Sequence, residues 1–493
     1  MANTFLDALI KSQNNKARTD KGDVAFVSTL DGCLDLFGSI SSFRQYETCE
    51  KFAKAFSENP LTALKVLFYS RDPRGGQGQR SYFRKCLKHW AVNAKTAQDM
   101  TDVEVMIPAI KEFGRFDDIF TLLEDGVPDL IQSCTLDYLY GEIMEGDHYA
   151  LKWFPREKSA KRDLAVRLRK HFKMSSKTYR QTLSKNSVVE NLTCDSKWGE
   201  IDYSSVPSLA FKKYSRAFSK HDGERFGTFL TKVTEGKEKI NASVVYPYQI
   251  FEEVSKENHD VANAMWVSLP DYCKGNKENI LPLIDVSGSM MSGEPSCLSI
   301  AVSLGLYLSE RMEGDLKDHF MTFSAKPKIV KVEGDTLSER LANIESSEWG
   351  YNTNIDAVFS EMLSVAKRKS ILQSDMPTKI IIFSDMQFDE AVARGENSVF
   401  SFWKESYQAN GYALPEIIFW NLNSDTNNFP MEFDENGTCL VSGFSPSLIE
   451  PILSCEITTP YEFMLSVINA ERYDLIDDLW KFSKTPLSGL LPS

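Results

Sequence analysis

A chain of 493 residues is long for one hydrophobic core, and size scaling predicts two or three packed units, here taken as two, residues 1–275 and 276–493. Its 42% hydrophobic and 25% charged residues exclude wholesale disorder, and a net charge of −13 excludes a chain that attracts polyanions over its whole surface. Nine scattered cysteines without a C-x-x-C pair make an awkward disulfide framework, and no apolar run approaches the roughly 20 residues that a bilayer core demands. At the start, Phe5, Leu6, Leu9 and Ile10 fall at helical spacing, with no basic leader, apolar run and small-residue cleavage site around them. The expectation is a cytoplasmic chain with no membrane span and no disulfide-linked partner.

From residue 1 to about 250, apolar residues recur at three and four, as in Phe52, Phe56, Leu61, Leu64, Leu67 and Phe68, and this half reads as helical. Breaks fall at Glu58 to Pro60, Asp72 to Gly78, Asp125 to Pro128 and Ser204 to Pro207. Helix hairpins of this kind stack into arrays or rings. The tripeptide Gly75-Gly76-Gln77 sits in one of the breaks and reads as a turn between helices; the run to Arg80 lacks the G-K-[ST] of a phosphate loop. Arg71, Arg74 and Arg80 are candidates to meet phosphate, with an ion pair to Asp72 as the equal alternative.

The negative average hides a polarised charge. Residues 281–493 hold 15 basic against 31 acidic side chains, while residues 1–280 hold 41 against 38. Residues 151–190 concentrate Lys152, Arg156, Lys158, Lys161, Arg162, Arg167, Arg169, Lys170, Lys173, Lys177, Arg180 and Lys185 against Glu157, Asp163 and Glu190. With Trp153, Phe154, His171, Phe172 and Tyr179 interleaved, this stretch offers phosphate contacts and flat faces for single-stranded bases, so RNA is the expected partner; a solvated helix face is the plain alternative.

After about residue 275 the pattern changes. Short β-branched or aromatic runs at Ile280 to Ile284, Phe320 to Phe323, Ile329 to Val332, Ile380 to Phe383, Ile417 to Trp420 and Thr438 to Val441 read as strands. Helical stretches at Cys297 to Arg311, Ile355 to Lys369 and Val399 to Ala409 separate them, which predicts a doubly wound, mostly parallel sheet and an α plus α/β chain overall. The first strand runs into Asp285-Val-Ser287-Gly-Ser289, another ends in Asp385, and Thr353 precedes a helix. Hard oxygen donors that mix one or two carboxylates with neutral hydroxyls suit Mg²⁺, with Mn²⁺ as the substitute. Helix capping is the other use of Asp285 and Ser287.

The order D-x-S-x-S, then Thr, then a strand-terminal Asp resembles the metal-ion-dependent adhesion site of von Willebrand A domains. The resemblance implies that Ser287, Ser289 and Thr353 coordinate the cation, that Asp285 and Asp385 act largely through waters or hydrogen bonds, and that one position stays open for a partner's oxygen. No histidine lies near the three motif segments, and His319 opens a strand, so a proton shuttle for hydrolysis is missing and binding is expected rather than catalysis. Gln387, Asp389 and Asn421 are candidates for the same rim or for caps.

Tyr69-Ser-Arg71-Asp72-Pro73-Arg74-Gly75-Gly76-Gln77-Gly78-Gln79-Arg80, the basic run, Trp198, Ile201-Asp-Tyr203, Val206-Pro207-Ser208 and Lys239-Ile-Asn241 resemble an uncharacterised family of helical-plus-von-Willebrand proteins from plants, fungi and large viruses. That family in turn looks like the Ro autoantigen ring proteins, which join a TROVE domain to a von Willebrand A domain. The resemblance implies HEAT-like helix hairpins, closed by the metal domain, that carry RNA on basic surfaces as a ribonucleoprotein. The rival expectation is a scaffold whose metal grips an acidic side chain of a protein partner; a metal-dependent hydrolase is the third reading.

Overall fold

Apolar residues at helical spacing make the first half helical, and the turn residues cut it into short pieces. The computed structural model describes residues 14–41, 48–146, 148–184, 192–242, 244–323, 326–346, 354–389, 398–423, 429–454 and 456–485. An antiparallel hairpin comes first, β1 (Lys16–Arg18) and β2 (Val24–Phe26). Next are α1 (Gly32–Phe37), α2 (Thr48–Glu58), α3 (Pro60–Arg71), α4 (Arg80–Asn93), α5 (Ala97–Val105) and α6 (Ile107–Phe113). After a 3-10 segment at Phe116–Leu123 come α7 (Asp129–Glu145), α8 (His148–Trp153), α9 (Arg162–His171), α10 (Ser176–Leu183), α11 (Ser208–His221), α12 (Gly223–Thr234), α13 (Pro247–Ser255) and α14 (His259–Val267). The break at Asn59-Pro60 shows the local logic: the Asn59 side chain accepts the Thr62 N–H at 3.2 Å, and Pro60 occupies the first helical turn, where its missing N–H costs nothing.

The second half alternates β3 (Ile280–Asp285), α15 (Cys297–Arg311), β4 (His319–Phe323), β5 (Lys328–Lys331), α16 (Leu337–Glu345), α17 (Ile355–Lys369), β6 (Lys379–Ser384), α18 (Val399–Ala409), β7 (Glu416–Asn421) and β8 (Thr438–Ser442). It closes with α19 (Ile449–Ser454), α20 (Pro460–Ile468) and α21 (Asp474–Ser483). The sheet is six-stranded in the order β5-β4-β3-β6-β7-β8, parallel except for the edge strand β5. The expected strands and the three long helices stand where their apolar runs put them, with strand ends shifted by a residue at most.

Side chains alternate between two faces of the sheet. Leu281, Leu283, Ile380, Ile382, Ile417 and Phe419 pack under α17 and α18. Ile284, Ile381, Phe383, Ile418, Trp420 and Val441 join a core continuous with the helical half. Both faces are therefore apolar, which is why these strands read as unbroken hydrophobic runs. A Cβ on Gly305 would come within 2.4 Å of Ile284 Cδ1, so the glycine lets α15 lie close over β3.

Packing crosses the middle of the chain in both directions. The β1–β2 hairpin bridges to Phe429 and Asp389 of the sheet unit. In return α21 and the turn before it fill the helical half: Tyr473 stacks on Phe113 at 5.4 Å, Trp480 meets Phe56 edge-on, and Lys65 pairs with Asp477 at 2.6 Å. Among the described residues no helix is long and apolar enough to cross a membrane.

Candidate metal centre

The strand order reverses between β3 and β6, because the chain leaves β3 for β4 on one side and returns to β6 on the other. At such a switch point the loops after the two strands splay apart and leave a crevice beyond their carboxyl ends. Asp285 ends β3 and Asp385 follows β6, so the topology brings both carboxylates to that crevice.

Short hydrogen bonds fix the loops. The Asp285 carboxylate accepts the Ser287 N–H at 2.9 Å and the Ser384 hydroxyl at 2.6 Å. Ser384 in turn accepts the Met386 N–H at 3.0 Å, and Met386 takes a left-handed φ of 61°, an uncommon conformation for a side chain of its size. The Ser287 and Ser289 hydroxyls share a hydrogen bond of 3.0 Å, and Asp385 accepts the Gln387 N–H at 3.2 Å. Asp285 and Ser287 are fully buried and Asp385 is nearly so.

Burial pushes the Asp285 carboxyl well above the usual range, and the charge of Asp385 adds to this; Ser384 and Ser287 oppose it without cancelling it. Burial likewise raises Asp385, against hydrogen bonds from Ser289 and the Gln387 N–H and the positive charge of Lys21. A buried carboxyl raised by burial and by the charge of a second buried acid describes a place that a cation would relieve. The donors fit a hard divalent ion: two carboxylates and two hydroxyls. Among the described residues no three His, Cys, Asp or Glu side chains gather, so the hydroxyls are needed to complete a ligand set. Both oxygens of Asp285 hold protein partners, and the Ser287 and Ser289 hydroxyls and the Asp385 carboxylate lie beside it with hydrogen bonds of their own. Of the five sequence candidates, Asp285, Ser287, Ser289 and Asp385 come together; Thr353 lies outside the described residues.

Three comparisons bear on the chain. Residues 279–475 match DUF7788, and residues 19–124 and 140–274 match DUF2828, each described as a domain of unknown function. Uncharacterized protein L728 of Acanthamoeba polyphaga mimivirus is 25% identical over 529 residues, covering 94% of this chain and 91% of that protein. The resemblance to uncharacterised proteins of large viruses therefore extends along nearly the whole chain. The crystal structure of the Deinococcus radiodurans Ro (RSR) protein aligns over 82% of this chain and 93% of its own, with a TM-score of 0.42 and 11% identity.

One neighbour of the crevice was not foreseen. The β1–β2 turn docks on the loop after Asp385: the Thr19 hydroxyl donates to Phe388 O at 2.8 Å, the Asp20 N–H to Gln387 Oε1 at 3.0 Å, and Gly22 bridges Asp389. Gln387 and Asp389 thus hold the hairpin, and Asn421 caps its own turn by accepting the Asn423 N–H. The paired strands are three residues each, too short for alternation to announce them. His319 stands at the opposite end of the sheet, at the start of β4, bonded to Lys317 O.

The basic candidates divide. Arg71 is not a phosphate ligand, because it is buried in α3 and its Nε donates to Asp118 at 2.7 Å. Arg80 pairs with Asp117 at 3.0 Å; Arg74 is exposed, and the ion pair foreseen at Asp72 is made with Arg472. Arg167 donates to Leu123 O and Gln132, Arg169 to Glu157 and Met174 O, Arg156 to Leu183 O, and His171 meets Asp137 at 2.9 Å. Phe154, Phe172 and Tyr179 are buried and Arg115 covers the Trp153 ring, so these aromatic rings serve the core and do not stand as stacking platforms. Lys152, Lys158, Lys161, Arg162, Lys170, Lys173, Lys177 and Arg180 remain on the surface in and around α8, α9 and α10. Lys185 lies outside the described residues.

Proposed function

We propose that this chain is a non-catalytic cytoplasmic binding protein whose sheet unit holds one divalent cation, Mg²⁺ or Mn²⁺, at Asp285, Ser287, Ser289 and Asp385, with Thr353 as a further donor. The observation that carries this reading is the meeting of two buried carboxylates and two facing hydroxyls at the switch point between β3 and β6. A bound cation supplies an electrophilic position that accepts an oxygen from a partner's acidic group. Asp285 orients the Ser287 loop through its backbone N–H, Ser384 ties β6 to β3, and Gly305 lets α15 lie close over β3. Hydrolysis would need a proton carrier within reach; the carboxylates are held by Ser384, Ser289 and backbone N–H groups, and His319 is at the far end of its strand.

The test is Mn²⁺ binding to the full chain, followed by electron paramagnetic resonance. One saturable site is expected, with stabilisation of about 2.7 kcal/mol at a hundredfold excess over Kd. Asp385→Ala should abolish both, and a wild-type chain without saturable binding would end this reading.

A second reading, RNA on the α9–α10 face, is favoured by the exposed cations there. Its ribonucleoprotein form predicts tight binding at low salt that falls steeply as salt rises. Reversing Lys158, Lys173, Lys177 and Arg180 to glutamate should remove it; single-stranded RNA that stays unbound at 50 mM salt, or binds all variants alike, sinks it.

A further inference from the structure

Leu209, Lys212, Lys213 and Arg216 fall at the i, i+3, i+4 and i+7 positions of α11 and so form one stripe of that helix. The stripe is one wall of a cavity of about 350 Å³, and the other wall is the C-terminal end of α13 and the turn after it, with Glu253, Lys256 and Asn258. Hydrogen bonds fix the two walls. Lys212 Nζ reaches across to Gln249 O at 2.8 Å and to the Glu252 carboxylate at 2.7 Å. Glu253, which is buried, accepts Asn258 Nδ2 at 2.9 Å and Lys256 Nζ at 3.1 Å. Burial pushes its carboxyl up, but Asn258, Lys256 and Lys212 outweigh burial and hold it below the ordinary 4.5, so Glu253 is a full negative charge at neutral pH.

The cations of this cavity outnumber its acids. Glu252 answers Lys212 and Glu253 answers Lys256, which leaves Lys213 and Arg216. Both are exposed; Lys213 lies over the Tyr214 ring at 5.2 Å, and among the described residues no carboxylate pairs with either. Glu257, beside Lys256 in the chain, is exposed and belongs to neither wall. Like charges three and four residues apart on a helix repel, and Arg216 stands in that relation to both Lys213 and Lys212. An anion between them would remove the repulsion. A phosphate monoester is close to doubly charged at neutral pH, and a guanidinium matches two of its oxygens at once. The volume exceeds what the phosphate group fills, and Leu209 is the one apolar residue of the walls, so the rest of the ligand is small and polar rather than an acyl chain. We propose that this cavity binds a small phosphate monoester, with the phosphate oxygens on Arg216, Lys213 and Lys256. The site uses none of the residues of the crevice between β3 and β6 or of the α9–α10 face.

The experiment titrates the full-length chain with glycerol 3-phosphate, inorganic phosphate and glycerol by isothermal calorimetry in about 50 mM salt, where screening is weak. One saturable site is expected for the two phosphates and none for glycerol. Arg216→Gln should weaken glycerol 3-phosphate binding about tenfold, and Arg216→Lys should recover only part of the loss, because an ammonium does not match two oxygens at once. Glu252→Gln changes a half-exposed side chain, frees Lys212 and should tighten binding about threefold. That gain cannot come from a damaged fold. A wild type without saturable binding of either phosphate overturns the proposal, and so does equal affinity in the wild type, Arg216→Gln and Glu252→Gln proteins. If Arg216→Gln costs affinity for single-stranded RNA and for neither phosphate, the cavity is part of an RNA surface and the small-ligand proposal is overturned.

Discussion

Two polar, glycine-bearing loops stand out in this chain, and the structure uses them in opposite ways. In the loop at 72–79, the Asp72 carboxylate accepts the N–H groups of Arg74 and Gly75, the Arg472 guanidinium on two atoms and the Tyr473 hydroxyl. Gln77 donates to the Tyr69 hydroxyl at 2.7 Å and accepts the Ser445 N–H at 3.1 Å, while its carbonyl accepts the Tyr246 hydroxyl at 2.8 Å. A Cβ on Gly76 would sit 2.0 Å from Tyr69 O, so only glycine allows the turn this tight. In the loop at 285–289, by contrast, two hydroxyls answer each other and two buried acids oppose each other's charge. The first loop fastens the helical half to the C-terminal helices with opposite and complementary groups. The second gathers like groups, which is what the metal reading proposed above would use.

The sharpest way to break this contrast is to remove a carboxylate from the fastening. Asp72→Ala leaves Arg472 without its partner and orphans two backbone donors, and about 3–5 kcal/mol of stability should be lost in urea unfolding. The Mn²⁺ affinity of the folded fraction should be unchanged. A loss below about 1 kcal/mol would mean that the loop decorates the interface rather than holding it.

Much of this was legible from residue order. Runs such as Ile380 to Phe383 are buried on both faces, so composition and length announce strands, and the D-x-S-x-S run with a strand-terminal Asp announces its own convergence once the sheet is parallel. The hairpin was not legible, because Lys16-Ala17-Arg18 and Val24-Ala25-Phe26 have no pattern of their own and are held by Phe429 and residues 387–389 from the other end of the chain. The aromatic residues of the basic stretch carried a usable signal that their neighbours' charge obscured. Ala165, Leu168 and Phe172 recur at three and four, as do Tyr179 and Leu183 at four, and all five are buried. Arg71 ends a helix buried from Ala63 onward, where a guanidinium needs an internal acid, and Asp117-Asp118 supplies that acid.

The arginine cluster around that acidic pair gives a smaller test. Burial pushes the Asp117 carboxyl up, but its bond to Arg115 and the charges of Arg115, Arg84 and Arg80 outweigh burial and hold it below the ordinary 3.8. A depressed carboxyl stabilises the fold fully above the unfolded value and loses that contribution as pH falls below it. Because Arg80 and Arg84 stay partly in water, Asp117→Asn should cost about 1 kcal/mol at neutral pH. The gap between wild type and variant should narrow below pH 3.8, read by thermal unfolding across the acid range. A gap that stays constant with pH would show that hydrogen bonding, not charge, is what Asp117 contributes.

The smallest stability effect should come from the candidate metal centre. Asp285→Asn keeps the side chain's shape and one carbonyl oxygen for the Ser287 N–H, and it removes a charge that burial and Asp385 both oppose. Metal-free protein at neutral pH should therefore be unchanged or more stable by up to about 1 kcal/mol, whereas loss of one partner from a satisfied buried pair costs several. The same variant should lose the added stability expected of the wild type in Mn²⁺. A fold that instead weakened by more than about 2 kcal/mol without metal would make Asp285 a fastening like Asp72, held by Ser384 and Ser287 for the sake of the sheet alone. Stability and binding would then rise and fall together at both loops, and the functional reading of the crevice would have lost its physical ground.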